Sequence, residues 1–283
     1  MQERFYQLAG LRFRVLAESF AEEQGILQEF SAPEGPWDVD CHLSVVEALS
    51  EPEGELIFRD PANRVFRNGD RMVRYKGSVD LTMDGAYIRI CRTGNRAEVQ
   101  IKREAIPFGI AGKVIISCLE TVHHLTDAGG FLLHSSWIRV GEKAVLFTGP
   151  SGVGKSTQAA LWEQHRGAEL INGDRAAVFP TETGAEVRGI PFCGSSGVTK
   201  NCTLPLAAVV CLSQAPKTAI TRLTGARAFQ RLWQECCINL WNPSDIEACT
   251  RSVSDVVSRI PILHLACTPD CSAVLALEQE GVL

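Results

Sequence analysis

The chain has 283 residues, 45% of them hydrophobic, enough to bury a substantial core in one large domain or two smaller ones. Its 28 Lys and Arg against 33 Asp and Glu leave a formal charge of −5. That argues against general nucleic-acid binding, which needs a basic footprint. No apolar run reaches the roughly 20 residues needed to span a bilayer. Met1-Gln2-Glu3-Arg4 lacks the basic-then-apolar pattern of a secretory leader, so the expected location is the cytoplasm, away from membranes. The 11 cysteines include no C-x-x-C, and Cys236-Cys237 and Cys267…Cys271 lack zinc-site spacing. Free thiols in a reducing compartment are the simplest reading.

Residues 1–105 read as β-rich. Polar and apolar residues alternate over Leu11–Leu16, Glu55–Phe58, Arg71–Tyr75, Tyr87–Cys91 and Ala97–Ile101. Turn residues separate these runs, and Asn68-Gly69 and Asp84-Gly85 suit hairpins. Nothing in this region carries chemistry. It reads either as a sheet that accompanies a second domain at 106–283 or as a recognition surface.

Residues 111–127 place apolar side chains at helical spacing, and Gly129-Gly130 closes that helix. His123 and His124 lie at its end, where ordinary packing fits better than metal binding. Phe131 to Ser136 comes next as a strand carrying His134, and Gly141-Glu142 turns into the apolar run Ala144-Val145-Leu146-Phe147. Two strands joined by a tight turn are neighbours in one sheet, which brings His134 near the segment after Phe147. A core histidine satisfied by hydrogen bonds accounts for His134 equally well.

That segment holds the one strong motif. Gly149 to Ser156 fits the phosphate-loop pattern G-x-x-x-x-G-K-[ST], set between a strand and a helix predicted over Ser156–His165. Gly149, Gly152 and Gly154 let the backbone turn tightly and approach an anion. Loop N–H groups and the helix start then face phosphate oxygens. Lys155 suits the β- and γ-phosphates and the Ser156 hydroxyl suits Mg²⁺.

Leu170-Ile171 reads as a short strand with Asp174 just past its end, where a second Mg²⁺-organising carboxylate belongs. A turn role for Gly173-Asp174 is the alternative. Gly184 to Leu206, rich in Gly and Ser, reads as a long functional loop in which Arg188 and Lys200 either face phosphate or are solvated surface charges. Leu206–Leu212 is a strand, Ala226–Cys236 and Ser244–Arg259 are helices, Pro261–Cys267 is a strand and Ser272–Gln279 a short helix.

From about residue 131 to 270 the chain resembles the catalytic domain of bacterial HPr serine kinase/phosphorylase, and more closely its shorter kinase-like relatives. The matching stretches are Leu132-Leu133-His134, Gly149 to Thr157, Leu170 to Arg175 and Gly189 to Gly194. The resemblance implies an α/β fold with a mixed sheet, shared with ATP-dependent phosphoenolpyruvate carboxykinase, preceded here by the β-rich region. It implies ATP held by Gly149, Ser151, Gly152, Val153, Gly154, Lys155, Ser156 and Thr157. Ser156 and Asp174 would hold Mg²⁺, and His134, Lys155 and Asp174 would form the catalytic set. The implied reaction moves the γ-phosphate to a hydroxyl, on a serine of a peptide or protein. A non-catalytic ATP-binding module and a small-molecule kinase are the alternatives. The hexamers of the bifunctional relatives leave a homo-oligomer open. Two positions depart from the family: Gly173 stands where relatives carry a general-base aspartate, and Thr157 where many carry glutamate.

Overall fold

A computed structural model describes residues 1–18, 26–77, 85–108, 115, 116 and 118–281. The backbone divides into two units, Met1–His124 and Leu125–Leu283.

In the first unit nine strands form one sheet among the described residues. They are β1 (Gln2–Leu8), β2 (Leu11–Ala17), β3 (Ser31–Ala32), β4 (Val39–Val46), β5 (Glu55–Arg59), β6 (Asn63–Asn68), β7 (Arg71–Lys76), β8 (Ile88–Thr93) and β9 (Arg96–Lys102). Their order is β3-β1-β2-β4-β9-β8-β7-β6-β5. The two-residue alternation buries Phe13, Val15 and Ala17 of β2 on one face. Asn68-Gly69 makes the expected hairpin, with Gly69 at φ +62°, and Gly94 at φ +56° turns β8 into β9. The other predicted hairpin, Asp84-Gly85, lies partly outside the described residues, as do residues 111–114 and 117 of the helix predicted over 111–127. The described remainder is not one continuous helix, because Leu119-Glu120 breaks it, with Glu120 at φ +45°, before a separate helix starts at Thr121. β1 and β4 were not expected, because Glu3, Arg4, Asp40 and His42 interrupt their apolar pattern. Asp40 compensates by pairing with Arg14 at 2.8 Å and His42 at 3.0 Å. His124 packs as a buried side chain, its ring edge-on to Phe13 at 5.9 Å.

The second unit contains a mixed sheet flanked by helices. Its strands are β10 (Phe131–Val140), β11 (Lys143–Thr148), β12 (Glu169–Asn172), β13 (Arg175–Pro180), β14 (Ala185–Arg188), β15 (Thr203–Gln214), β16 (Ala219–Leu223), β17 (Cys236–Cys237) and β18 (Ile262–Cys267). After α1 (Thr121–Asp127), which spans the division, come α2 (Lys155–Arg166), α3 (Gly225–Trp233), α4 (Pro243–Arg259) and α5 (Cys271–Gln279). The predicted Gly184–Leu206 loop is shorter than expected, because Ala185–Arg188 inserts as β14 between β13 and β15.

β11 and β15 are buried on both faces, which explains their near-continuous apolar sequences. Leu146, Val209 and Cys211 face a core closed by Ala228 and Leu232 of α3 and Cys249, Val253 and Val256 of α4. Val145, Phe147, Val210 and Leu212 face the opposite core, closed by Ala159 and Trp162 of α2 and Val274 and Leu277 of α5. Helices on both faces of a sheet with parallel neighbours make this an α/β unit.

β10 changes partner along its length. Phe131 to His134 pair with β13, whereas Ser135 to Val140 pair with β11. His134 is therefore the last residue before the switch. β11 is antiparallel to β10 on one side and parallel to β15 on the other. The loop that leaves β11 starts from this mixed junction.

Candidate functional site

The loop after β11 takes the strained turn its glycines allow. Gly149, Gly152 and Gly154 have φ of +143°, +76° and +113°, values that side-chain-bearing residues rarely adopt. Gly154 precedes the first turn of α2, and no side chain caps that end, so its backbone N–H groups are left for a ligand or water. Trp162, 1% exposed, anchors the helix to the core below. Lys155 Nζ donates to the Gly149 and Pro150 carbonyls at 2.7 and 3.2 Å, folding back over its own loop. Ser151, Ser156 and Thr157 are exposed, and Val153 is half-buried.

Two backbone hydrogen bonds and one from a side chain gather the other groups around the β10 switch. Thr148 Oγ1 donates to the His134 carbonyl at 2.8 Å, Ser135 N donates to the Asp174 carbonyl at 2.9 Å, and His134 N donates to the Glu235 carbonyl at 2.9 Å. The side chains converge at the same place. His134 Nε2 lies 3.7 Å from Asp174 Oδ1, and His134 Nδ1 lies 3.7 Å from Glu235 Oε2. Both separations suit charge interaction but exceed hydrogen-bond length. Arg175 Nε approaches Asp174 Oδ2 at 3.3 Å while its guanidinium sits 4.6 Å over the Phe192 ring.

Burial is the first cause that pulls both cationic groups below their ordinary pKa. Lys155 is lowered by burial, against the opposing charges of Glu235 and Asp174. His134 is lowered by burial and then by Lys155, against Asp174 and Glu235. The mutual influence of Lys155, His134, Asp174 and Glu235 marks one electrostatic cluster.

His134, Lys155 and Asp174, expected together from the sequence, are brought together by the structure. No hydrogen bond joins Ser156 to Asp174 among the described residues. Arg188 and Lys200, read as either phosphate ligands or surface charges, each have an acidic partner. Arg188 Nη2 is 2.6 Å from Glu186, and Lys200 pairs with Glu169.

Two participants were missed. Glu235 reaches the site because β17 pairs with β10, Leu133 opposite Cys236. No local spacing announces that pairing. Asn172, fully buried, organises the acidic turn. Its Oδ1 accepts from Asp174 N at 2.8 Å and Arg175 N at 3.0 Å. Its Nδ2 donates to the Ile190 carbonyl and Thr199 Oγ1, both at 2.9 Å. That clamp fixes Asp174 against the 190–199 segment.

The segment also explains Gly173. A Cβ placed there would meet Ser196 Cβ at 2.5 Å and would collide with Ser196 Oγ. Ser196 is itself tethered, its Oγ donating to the Cys193 carbonyl at 2.6 Å and accepting from Val198 N at 3.2 Å. A side chain at 173 needs the Gly194–Ser196 turn to move. Gly194 is constrained from the other side: its φ is +55°, and a Cβ would lie 2.9 Å from Asp174 Cβ.

Among the described residues no three His, Cys, Asp or Glu side chains form a ready-made metal centre. Magnesium does not require one, since it is commonly held by one or two carboxylates, waters and substrate phosphates. The hard oxygens of Asp174 and Ser156 are suitable donors. No helix among the described residues is long and apolar enough to cross a membrane. All 11 cysteines are free thiols, and only Cys271 is exposed.

No family model matches the chain, and no curated protein matches it. Among solved structures, an Hpr(Ser) kinase/phosphatase from Coxiella burnetii is similar at 12% identity, covering 53% of this chain and 90% of that one, with a TM-score of 0.30. This is a distant likeness.

Proposed function

We propose that the Leu125–Leu283 unit is an ATP-dependent phosphotransferase that moves the γ-phosphoryl group to a hydroxyl, on a serine of a peptide or protein. One observation carries this reading: Lys155, His134, Asp174 and Glu235 converge beside a glycine-rich strand-to-helix loop of phosphate-loop sequence. Loop amides and the start of α2 would cradle the phosphates. Lys155 would exchange the Gly149 and Pro150 carbonyls for phosphate oxygens, a change that needs only side-chain rotation. Asp174 and Ser156 would hold Mg²⁺, which neutralises charge on the phosphates.

In the transfer, the acceptor oxygen forms a bond to the γ-phosphorus and the bond from that phosphorus to the β-bridging oxygen breaks. ADP leaves, and the acceptor proton passes to His134 or Asp174. Burial keeps His134 neutral near pH 7 and so able to accept it. Phosphoryl transfer depends mainly on positioning and charge stabilisation. The lack of a carboxylate at 173 therefore removes about 10²–10⁴-fold rather than all of the rate.

A second reading has its own support. Ser196 fills the space at Gly173, which favours a nucleotide-binding module without turnover. Incubation with γ-labelled ATP and serine-containing peptide and protein pools separates the two. Label on an acceptor, lost in Asp174→Asn, supports the transferase. Binding of ATP with no labelled product and no ADP supports the module.

A further inference from the structure

A cleft of about 560 Å³ opens beside the glycine-rich loop, within the roughly 300–1,000 Å³ range of small-molecule sites. Gly152, Gly154 and Thr157 form its border with the loop, and Val153 and Leu212 supply an apolar wall. A ligand whose phosphates occupy the loop would extend its nucleoside into this space.

One lining residue is out of keeping with that apolar wall. Gln158, on the first turns of α2, is only 2% exposed. Its Nε2 donates to Cys267 Sγ at 3.3 Å. Its Oε1 is buried and accepts no hydrogen bond among the described residues. Leaving a buried acceptor unsatisfied is costly, and native proteins retain few such groups without a reason. A turn of the amide toward the cleft would let a donor brought by a ligand satisfy it.

We propose that this cleft takes the nucleobase of the bound triphosphate and that Gln158 Oε1 reads the exocyclic amino group of adenine. The proposal rests on the nucleotide-binding reading above and adds base specificity to it. Adenine presents an N–H donor at carbon 6. Guanine and hypoxanthine present a carbonyl oxygen there, which places two acceptors face to face. Leaving buried polar groups unpaired is an effective way for a site to reject a near-isosteric ligand. Cys267, half-buried in the same wall, is the amide's sulfur neighbour.

The test is calorimetric titration of the full chain with ATP, ITP and GTP in magnesium, for wild type and Gln158→Met, together with alkylation of Cys267. ATP is expected to bind about tenfold tighter than ITP or GTP, the effect of one hydrogen bond gained against one acceptor left unpaired. Gln158→Met keeps the volume and removes the unsatisfied oxygen. It should melt no lower than wild type and should bring ATP and ITP within about twofold of each other. ATP should slow alkylation of Cys267 more than inorganic tripolyphosphate, which fills the loop alone. Equal affinity for ATP and ITP in wild type overturns the proposal, as does a preference for ITP or GTP. An unchanged ATP-to-ITP ratio in Gln158→Met, or equal protection of Cys267 by ATP and tripolyphosphate, overturns it too. Binding without base preference removes this inference alone. Absence of binding by all three nucleotides removes the functional reading on which it rests.

Discussion

The two units are both built on nine-stranded sheets among the described residues, yet the candidate site lies in only one. In the first sheet every neighbouring pair is antiparallel except β2–β4 and β4–β9. Its polar groups are used structurally: Arg14 pairs with Asp40 and stacks 3.6 Å over Trp37, and Arg74 pairs with Glu120. In the second sheet β11, β15 and β18 run parallel, so their connections must cross over through helices. A crossover delivers a helix N-terminus to the end of a strand, and open α/β sheets bind ligands at such ends. The candidate site lies where β11, parallel to β15, runs out into the glycine loop and α2 begins. Hairpins return the chain to the sheet, whereas a parallel connection leaves a strand end, a loop and a helix start pointing one way.

The sharpest way to break this comparison is a pair of substitutions. Lys155→Ala should weaken triphosphate binding by about 100-fold, since charge-assisted contacts are the strong ones. It should leave the melting temperature nearly unchanged, because among the described residues the hydrogen bonds of Lys155 go to carbonyls of its own loop. Gly54→Ala, in the first unit, should do the opposite. Gly54 has φ +96°, and a Cβ would crowd the backbone of Arg67. A loss of about 1–3 kcal/mol in stability is expected, with nucleotide affinity changed less than twofold. Calorimetry and thermal melting of both variants check the contrast.

A smaller effect should separate the turn at the site from turns elsewhere. Gly194→Ala combines a positive φ with contact against Asp174, and should cost about 1–3 kcal/mol while also lowering magnesium-dependent affinity. Gly197→Ala has φ +67° and open space around its Cβ, so it should cost less and leave magnesium dependence intact. Equal effects on magnesium dependence would show that the contact with Asp174 does not matter.

The smallest expected effect is on pH. Burial, then the charge of Arg231, lowers the pKa of His264 below its ordinary value. Its unfolded pKa is about 6.5, so below that value the unfolded chain takes up the proton first. The contribution to stability is present above about pH 6.5 and is lost as pH falls through the lower folded value. His134 acts in the same direction. Melting temperature should therefore fall between pH 7.5 and 5.5, and His264→Gln should flatten part of that slope. An unchanged slope would assign the pH dependence elsewhere.

The sequence exposed the features that depend on neighbours along the chain. The glycine loop, the apolar run of β11 and the Pro243–Arg259 helix are local patterns. His134 and Asp174 could be placed near each other because one lies within a recognisable strand, β10, and the other just past the end of β12. Glu235 was not, because it arrives through β17 pairing with a strand far away in sequence. Asn172 was hidden for a related reason: its four hydrogen bonds join two turns that only the fold brings together. β1 and β4 were obscured by polar residues, among them Glu3 and Asp40, whose partner Arg14 lies on β2 between the two strands. Gly173 was visible as a departure from the resemblance, but its cause, the seat of Ser196, required three dimensions.

The central claim is that the loop after β11 grips a nucleoside triphosphate. Thermal melting of the intact chain with and without magnesium–ATP at 100 times its dissociation constant tests it directly. Binding to the folded state alone contributes about 2.7 kcal/mol at that ratio, which raises the melting temperature by about 5–10 °C for a unit of this size. The account predicts that rise, and its loss in Lys155→Ala. No shift with any nucleoside triphosphate over a wide concentration range would contradict it.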